Sequence, residues 1–94
     1  MPLSINSDTR VQILPSVYVR SFGDELVLLD FSRGEYFGLD EAGAAIWRGL
    51  EAGARLGEIA DKLVERYEVT RDVAYEDIVA LVTHMHGQSL ITLH

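Results

Sequence analysis

The sequence predicts an α+β domain in which a three-stranded antiparallel sheet is followed by three helices. Before residue 40, short apolar and β-branched stretches alternate with turn residues, which is typical of strands joined by hairpins. After residue 40, apolar side chains recur three and four positions apart, which is typical of amphipathic helices. Because the strands come first and the helices follow, we expect two layers, with the helices on one face of the sheet.

The length and composition favour one globular domain. Ninety-four residues correspond to a single domain, residues 1–94, and we expect residues 1–9 to form a loose terminus with weak docking of Leu3 or Ile5. The chain has no cysteine, which excludes disulfides, thiolate metal sites and cysteine nucleophiles. The net charge of −7 is unfavourable for nucleic acid, because binding phosphates needs Lys and Arg.

Nothing in the sequence suggests a membrane segment or a secretion signal. The apolar runs are far shorter than the roughly 20 residues that span a bilayer. The first residues lack a basic region followed by an apolar run, so no signal peptide is expected. We therefore expect a cytoplasmic protein that contacts neither membrane nor nucleic acid.

The strand region divides at turn and proline signals. Residues 10–20 are β-rich, but Pro15 cannot donate to a ladder and must lie at an edge, a bulge or a break between two short strands. In the second half, Val17 and Val19 should share one face. Residues 21–25 form a hairpin turn, and residues 25–31 are apolar enough to be a central strand covered on both faces or nearly so. Ser32, Arg33 and Gly34 then make a second turn.

The third strand of this meander, Glu35–Leu39, should lie at a sheet edge. Glu35, Phe37 and Leu39 are expected to face one side, and Tyr36 and Gly38 the other. A free edge exposes unpaired N–H and C=O groups that can pair with another chain. We therefore hypothesise that this edge binds a peptide in extended form.

The first two helices have clear boundaries. Asp40 is a good N-cap for the first helix, Trp47 is its core anchor, and Gly53 ends it. The second helix spans residues 56–67, with an exposed Glu58–Lys62 pair at i,i+4 spacing.

The third helix is capped by Thr70 and should run from residue 71 to 85 or 86, with Gly87 as its stop signal. Residues 90–93 form a short apolar tail with β character, which could add a terminal strand.

The sequence offers no convincing catalytic or metal centre, and we expect no cofactor. His84 and His86 are two positions apart, so on a helix they point about 200° from each other and share no face. The carboxylates fall on predicted exposed helix faces, which argues against a buried acid–base pair. The serines have no partner constellation, and no phosphate-binding loop is present.

A winged helix-turn-helix that binds DNA is the main alternative. The second and third helices, joined by a short turn beside a sheet, have the required arrangement. A recognition helix needs basic or amide side chains in its first turns to contact bases and phosphates. Here those turns carry Arg71 with three acids, Asp72, Glu76 and Asp77. This composition disfavours DNA binding.

An ordered set of motifs resembles the PqqD-like family. The set covers about residues 26–91 and consists of Val27-Leu28-Leu29-Asp30, Gly34-Glu35-Tyr36-Phe37-Gly38-Leu39, Gly43-Ala44-Ala45-Ile46-Trp47, Leu50, Leu63, Tyr67-Glu68-Val69, Asp77-Ile78 and the closing residues 87–91. Two departures are visible. Asp40 stands where the family commonly has asparagine, and Gln88 and Ser89 separate Gly87 from Leu90.

The resemblance implies a non-catalytic peptide chaperone, also called a RiPP recognition element. Such domains are winged helix-turn-helix-like; they bind the leader segment of a ribosomally made precursor peptide and present it to a modifying enzyme. This short chain resembles most the stand-alone version of lasso peptide pathways, which works with a separate leader peptidase. The version that serves pyrroloquinoline quinone biosynthesis, with a radical enzyme as partner, is the other alternative within the family.

The resemblance also implies a binding mode and a set of site residues. The leader adds a strand to Glu35–Leu39 and packs into a groove whose other wall is the third helix. The residues implied in peptide binding are Glu35, Tyr36, Phe37, Gly38, Leu39, Ala74, Asp77, Ile78, Leu81 and Val82. Either Tyr36 or Phe37 lines the groove, and at least one of Ile78, Leu81 and Val82 is expected to pack in the core instead. Glu35, Glu76 and Asp77 are candidates for pairing with a Lys or Arg of the leader.

Overall fold

The computed structural model describes residues 4–94, so the expected docking of Leu3 lies outside the described residues. The described chain contains five strands and three helices. The strands are β1 (Val11–Ile13), β2 (Val17–Phe22), β3 (Glu25–Asp30), β4 (Glu35–Leu39) and β5 (Ile91–Leu93). The helices are α1 (Glu41–Glu51), α2 (Leu56–Arg66) and α3 (Arg71–Gly87), which lie between β4 and β5.

The main sheet is the predicted antiparallel meander, with strand order β2-β3-β4. The central strand β3 pairs through Leu28 with Val19 of β2 and with Phe37 of β4. The first turn is tighter than expected, because Ser21, Phe22 and Glu25 belong to the strands and only two residues connect them. Its Gly23 has φ +62°, a left-handed backbone conformation that glycine adopts without strain.

Pro15 lies at a break between two sheets, which is one of the three positions that the sequence allowed. The strand β1 before it leaves the meander and pairs antiparallel with β5, where Gln12 lies opposite Thr92. The C-terminal tail thus forms the terminal strand that its β character suggested. This small second sheet connects the beginning of the described chain to its end.

The predicted N-caps are present at α1 and α3. The Asp40 carboxylate accepts a hydrogen bond from the Gly43 N–H at 2.8 Å, and the Thr70 hydroxyl accepts one from the Val73 N–H at 3.3 Å. Both satisfy backbone donors that a helix start leaves unpaired. In α2, Glu58 accepts a hydrogen bond from the Arg55 N–H at 2.8 Å. Glu58 therefore caps its own helix, and the predicted Glu58–Lys62 ion pair is not among those of residues 4–94.

The helix ends show one prediction confirmed and one corrected. Gly53, with φ +78°, follows α1 as predicted, and the Gly53 and Ala54 N–H groups close the end of that helix. Gly87, however, belongs to α3 and does not stop it. The residue in left-handed conformation is Ser89, with φ +58°, and hydrogen bonds from Ser89 to His86 and from Leu90 to Met85 complete the closure. The left-handed conformation costs more free energy for serine than for glycine, so a glycine is the expected stop signal and Ser89 carries no local pattern that indicates a helix end.

The core lies between the inner face of the main sheet and the helices. Trp47 is fully buried at its centre, as expected, with Leu26 and Leu28 of β3 and Ile78 of α3 among the buried residues. On the outer face of β3, Val27 and Leu29 are only half-buried, so this strand is covered fully on one face. None of the helices within residues 4–94 combines the length and hydrophobicity needed to cross a membrane.

Residues 4–9 are less loose than the sequence suggested. The carbonyl groups of Ser7 and Thr9 accept hydrogen bonds from the first two N–H groups of α2, those of Gly57 and Leu56, at 2.9 and 3.0 Å. Thr9 is buried, and Ile5 packs against the core. Residues 7 and 9 thus cap α2, which Arg55 cannot do with its side chain. Because these residues are far from α2 in the sequence, no local pattern predicts the contact.

Candidate functional site

The strand β4 lies at one edge of the main sheet, as the sequence predicted, and β2 lies at the other. Within residues 4–94, β4 pairs only with β3, so its other side has no strand beside it. The strand is short, and three of its five residues are exposed, Glu35, Tyr36 and Gly38. An exposed edge of this kind can accept an additional strand.

The register of the sheet shows which peptide groups point outward from β4. Phe22 and Glu25 flank a two-residue turn, so they form a hydrogen-bonded pair. Because hydrogen-bonded pairs alternate along antiparallel strands, the peptide groups of Leu28 are directed to β4 and bond to Phe37. The N–H and C=O groups of Tyr36 and Gly38 therefore face the open edge.

Phe37, and not Tyr36, faces α3. The Phe37 ring is half-buried and meets the His84 ring edge-on, with centroids 5.8 Å apart and an interplanar angle of 79°. Tyr36 points to the opposite face of the sheet and is 75% exposed. The sequence left open which of Tyr36 and Phe37 faces α3. In the structure Phe37 lines the surface between β4 and α3, which we call the groove.

The groove has one closed end and one open end. At the closed end, Arg33 of the β3–β4 turn donates to the Ser89 hydroxyl at 3.4 Å, beyond the last turn of α3. Phe37 and His84 meet in the middle. At the other end, Leu39 and Leu81 line one cavity. The strand and the helix therefore run antiparallel to each other across the groove.

The open end of the groove widens into a cavity of about 630 Å³. Gly38 and Leu39 contribute one wall, the start of α1 a second, and α3 a third through Ala74, Asp77 and Leu81. The end of α2 and the residues after it close the far side through Leu63, Tyr67 and Val69. The walls are mainly apolar, and the carboxylates of Asp40 and Asp77 stand at the exposed rim. Such a cavity suits a large side chain with an apolar body.

The structure divides the predicted helix positions into two groups. Asp77 is exposed and Leu81 half-buried, and both line the cavity together with the buried Ala74. Ile78 and Val82 are each 0% exposed and do not line it. This corrects their place in the predicted site, because they face the core beneath α3 and have no surface for a direct contact. Core packing was expected for at least one of these positions.

The acidic candidates also separate. Glu35 is exposed on the same side of β4 as Phe37, and Asp77 lies at the rim of the cavity. Glu76 is exposed but is not part of the lining. The single ion pair within residues 4–94 joins Arg71 to Asp61 at 2.9 Å, so Glu35 and Asp77 have no basic partner within 4 Å among these residues.

Several lining residues were not predicted. His84 was considered only as a metal ligand, and its contact with Phe37 depends on how the sheet packs on α3. Tyr67 and Val69 stood in the motif set, but nothing in their spacing indicated that the end of α2 closes the groove. Within residues 4–94, no group of three or more His, Asp or Glu side chains is arranged to hold a metal ion.

The comparisons with known proteins agree with this fold. A family model described as coenzyme PQQ synthesis protein D (PqqD) matches residues 25–91. The solved structure of TbiB1 in complex with the TbiA(beta) leader peptide is 35% identical, with a TM-score of 0.80, and the match covers 85% of this chain and 93% of TbiB1. The solved structure of lasso peptide synthetase B1 complexed with the leader peptide is 32% identical, with a TM-score of 0.82, and the match covers 88% of this chain and 98% of the other.

A search of curated proteins gives no match. The family model nevertheless spans well over half of the 94 residues. In each structural comparison, the shared fold covers most of this chain and most of the other chain. The fold is the predicted α+β, winged-helix-like arrangement of a three-stranded sheet and three helices. On these grounds the chain belongs to the PqqD family.

Proposed function

We propose that this protein is a non-catalytic chaperone that binds the leader segment of a ribosomally made precursor peptide. The leader adds a strand to the open edge of β4, and the chaperone presents it to a leader peptidase or other maturation enzyme of lasso peptide biosynthesis. The observation that carries this proposal is the open edge beside an apolar groove, in a fold shared with two proteins solved with leader peptides.

The edge and the groove supply different parts of the binding. The outward N–H and C=O groups of Tyr36 and Gly38 can form main-chain hydrogen bonds with any extended peptide. Side chains on one face of the added strand would enter the groove, where Phe37, Asp77 and Leu81 contact them. The edge thus contributes affinity that tolerates many sequences, and the groove contributes selection.

The alternatives are less well supported. The family description names coenzyme PQQ synthesis, but one solved neighbour is a lasso peptide synthetase B1 and the other, TbiB1, is solved with a leader peptide. Each shares about a third of its residues with this chain. DNA binding is disfavoured because the first turn of α3 carries Asp72, and Arg71 is already paired with Asp61. Because precursor peptides are made by ribosomes, we place the chaperone in the cytoplasm.

Binding is tested by fluorescence polarisation of a labelled leader fragment from the precursor of the same biosynthetic system. The TbiA(beta) leader peptide serves as a heterologous probe. We expect saturable binding of the cognate leader and weaker binding of the heterologous one. Duplex DNA should show no tight, salt-dependent binding. A cognate leader that does not saturate the protein would overturn the proposal.

The strand-addition mode is tested at Gly38. Proline there removes an N–H that points to the open edge and places its ring where a guest strand would lie, while the ladder to β3 stays intact. We expect Gly38→Pro to reduce leader affinity by at least about tenfold.

Gly38→Ala is the matched control, because a methyl group at this position has no neighbour within 4 Å and the N–H remains. It should bind the leader within about twofold of the unmodified protein. Equal affinity for Gly38→Pro and Gly38→Ala, in two folded variants, would show that the peptide binds elsewhere.

A further inference from the structure

A crevice between α1 and α2 has a basic and apolar lining, although the protein as a whole is acidic. Its volume is about 250 Å³, and no acidic side chain of residues 4–94 lines it. The chain has 15 acidic and 8 basic residues, so a lining with three basic side chains and no acidic one departs from the overall composition. We call it the basic crevice and define it by Arg48, Gly49, Ile59, Lys62, Leu63 and Arg66.

The floor of the basic crevice is apolar and is held in place by the core. Ile59 and Leu63 of α2 are buried core residues. A methyl group on Gly49 of α1 would lie 2.8 Å from Ile59 Cγ1, so the two helices are in close contact at this point. Ala45 and Ala52 also line the crevice from α1, and their side chains are too small to fill it. The floor is therefore positioned by the packing of α1 on α2.

The basic side chains around this floor are exposed and have no acidic partner. The single ion pair within residues 4–94 lies elsewhere, so Arg48, Lys62 and Arg66 have no carboxylate within 4 Å among these residues. Arg48 and Arg66 lie in the last turns of their helices, where a positive charge is favourable, and Arg66 also lies 5.7 Å from the centre of the Tyr67 ring. Lys62 has neither role, and its charge is free to bind a ligand.

The acidic side chains around the crevice limit what can bind there. Asp24 and Glu41 line an adjoining hollow of about 70 Å³, and the exposed face of α2 carries Glu58, Asp61 and Glu65. Duplex DNA carries a negative charge about every 1.7 Å, so it would extend past the three basic groups and meet these carboxylates. The basic crevice therefore suits a short acidic ligand and disfavours a long polyanion.

The size and the floor of the crevice favour a protein segment as this ligand. Sites for small organic molecules usually enclose roughly 300–1,000 Å³, so this crevice is nearer to the size of a single side chain. An inorganic anion would pair with the basic groups but leave the apolar floor uncovered. A segment that carries carboxylates on both sides of an apolar side chain matches the basic rim and the apolar floor together.

We propose that the basic crevice is a docking site for an acidic segment of a partner protein. An apolar side chain of the segment covers the floor, and flanking Asp or Glu side chains pair with Arg48, Lys62 and Arg66. The Debye length is about 8 Å at physiological salt, so these local charges outweigh the net charge of −7 for a segment in contact with them.

The docking site is separate from the proposed peptide site and does not depend on the proposed function. The basic crevice and the cavity at the open end of the groove share only the buried Leu63 among their lining residues. A peptide in the groove therefore leaves Arg48, Lys62 and Arg66 accessible, and the protein can hold two ligands at once.

The test uses the full chain and a short fluorescein-labelled peptide composed of glutamate, leucine and serine. A matched peptide has glutamine in place of every glutamate. At about 0.1 M salt, we expect saturable binding of the acidic peptide by fluorescence polarisation, and binding of the glutamine peptide at least about tenfold weaker. In nuclear magnetic resonance spectra, the acidic peptide should shift the amide signals of α1 and α2 around the crevice.

Charge reversal at Lys62 tests the site directly. We expect Lys62→Glu to weaken binding of the acidic peptide about tenfold, and Arg48→Gln, on the other helix, to weaken it about threefold. Arg20→Glu is the matched control, because it makes the same charge change at an exposed position of β2 outside the crevice, and it should stay within about twofold. Circular dichroism confirms that each variant is folded. Lys62→Glu should also leave leader affinity within about twofold, because Lys62 does not line the cavity of the groove.

Other outcomes overturn the docking site. Equal binding of the two peptides, or equal losses in Lys62→Glu and Arg20→Glu, would mean that the crevice does not recognise the carboxylates. Displacement of the peptide by millimolar inorganic phosphate would assign a simple anion site, and tighter binding of duplex DNA would assign a polyanion surface. Self-association that Lys62→Glu abolishes would assign the crevice to a second copy of the chain.

The leader assay separates this inference from the proposed function. A protein that binds the acidic peptide through Lys62 but binds no leader would support the docking site and overturn the proposed function. A protein that binds its leader but not the acidic peptide would overturn the docking site alone.

Discussion

Phe37 and Tyr36 are adjacent residues with opposite surroundings, and this difference gives a direct test of the groove. Phe37 meets His84 across the groove, whereas Tyr36 is exposed on the outer face. We expect Phe37→Ala to weaken leader binding by about 2 kcal/mol, or roughly 30-fold, because a central aromatic contact is lost. Tyr36→Ala should cost less than about 0.5 kcal/mol when the chaperone is measured alone. Fluorescence polarisation with the labelled leader measures both.

Phe37 also packs against the core, so each variant needs a circular dichroism spectrum and a melting curve beside the binding data. Equal losses in two folded variants would contradict the placement of the groove on the α3 side of β4.

Ser89 offers a second test on a single residue, this time of stability. Its φ of +58° is unfavourable for a side-chain-bearing residue, and among residues 4–94 its hydroxyl is engaged only by the exposed Arg33 at 3.4 Å. Ser89→Gly should raise the free energy of unfolding by about 1 kcal/mol. The neighbouring Gln88→Gly should lower the free energy of unfolding. Gln88 has an ordinary φ of −89°, so glycine relieves no strain there and only increases the conformational entropy of the unfolded chain. Urea unfolding measures both, and a stabilising Gln88→Gly or a destabilising Ser89→Gly would refute the assigned helix end.

At the scale of elements, two helical glycines differ in what surrounds them. A methyl group on Gly49 of α1 would lie 2.8 Å from Ile59 Cγ1 of α2, whereas one on Gly87 of α3 would have no neighbour within 4 Å. We expect Gly49→Ala to destabilise the protein by about 1–3 kcal/mol, because the two helices must move apart. Gly87→Ala should stabilise it by about 0.5 kcal/mol through helix propensity. Thermal unfolding compares the two, and equal changes would mean that α1 and α2 do not approach closely at Gly49.

The elements that local patterns specify could be predicted from the sequence. Asp40 and Thr70 cap helices through atoms three residues away, and Gly34, with φ +68°, completes a turn in which Asp30 accepts a hydrogen bond from Ser32. The contacts that failed prediction join distant residues. The carbonyls of residues 7 and 9 cap α2 across almost fifty positions, and nothing local in either segment indicates that pairing.

The site divides in the same way. The strand edge follows from the order of three strands, so it was predictable with its residues. The groove wall was predictable only as a list of α3 positions, because periodicity tells which side chains share a stripe but not which of them the sheet leaves uncovered. Ile78 and Leu81 are both apolar, yet only Leu81 lines the cavity. The contribution of Tyr67 depends on the packing of the end of α2, which requires the whole fold.

At the scale of the molecule, we propose that the chain folds as one unit that includes residues before the family match at position 25. Val11 is buried in β1, which pairs with β5, and Thr9 caps α2 through its carbonyl group. Deleting residues 1–13 should therefore lower the free energy of unfolding by about 3–5 kcal/mol, from lost apolar burial and the loss of the two hydrogen bonds that cap α2. Gln12→Ala, a change on an exposed side chain of β1, should cost less than about 0.5 kcal/mol.

Trp47, the only tryptophan and fully buried, reports tertiary packing by fluorescence, while circular dichroism reports the helices. One folding unit requires both signals to change together in urea, and two separate transitions, or a deletion as stable as the full chain, would show that the first strand is an independent appendage.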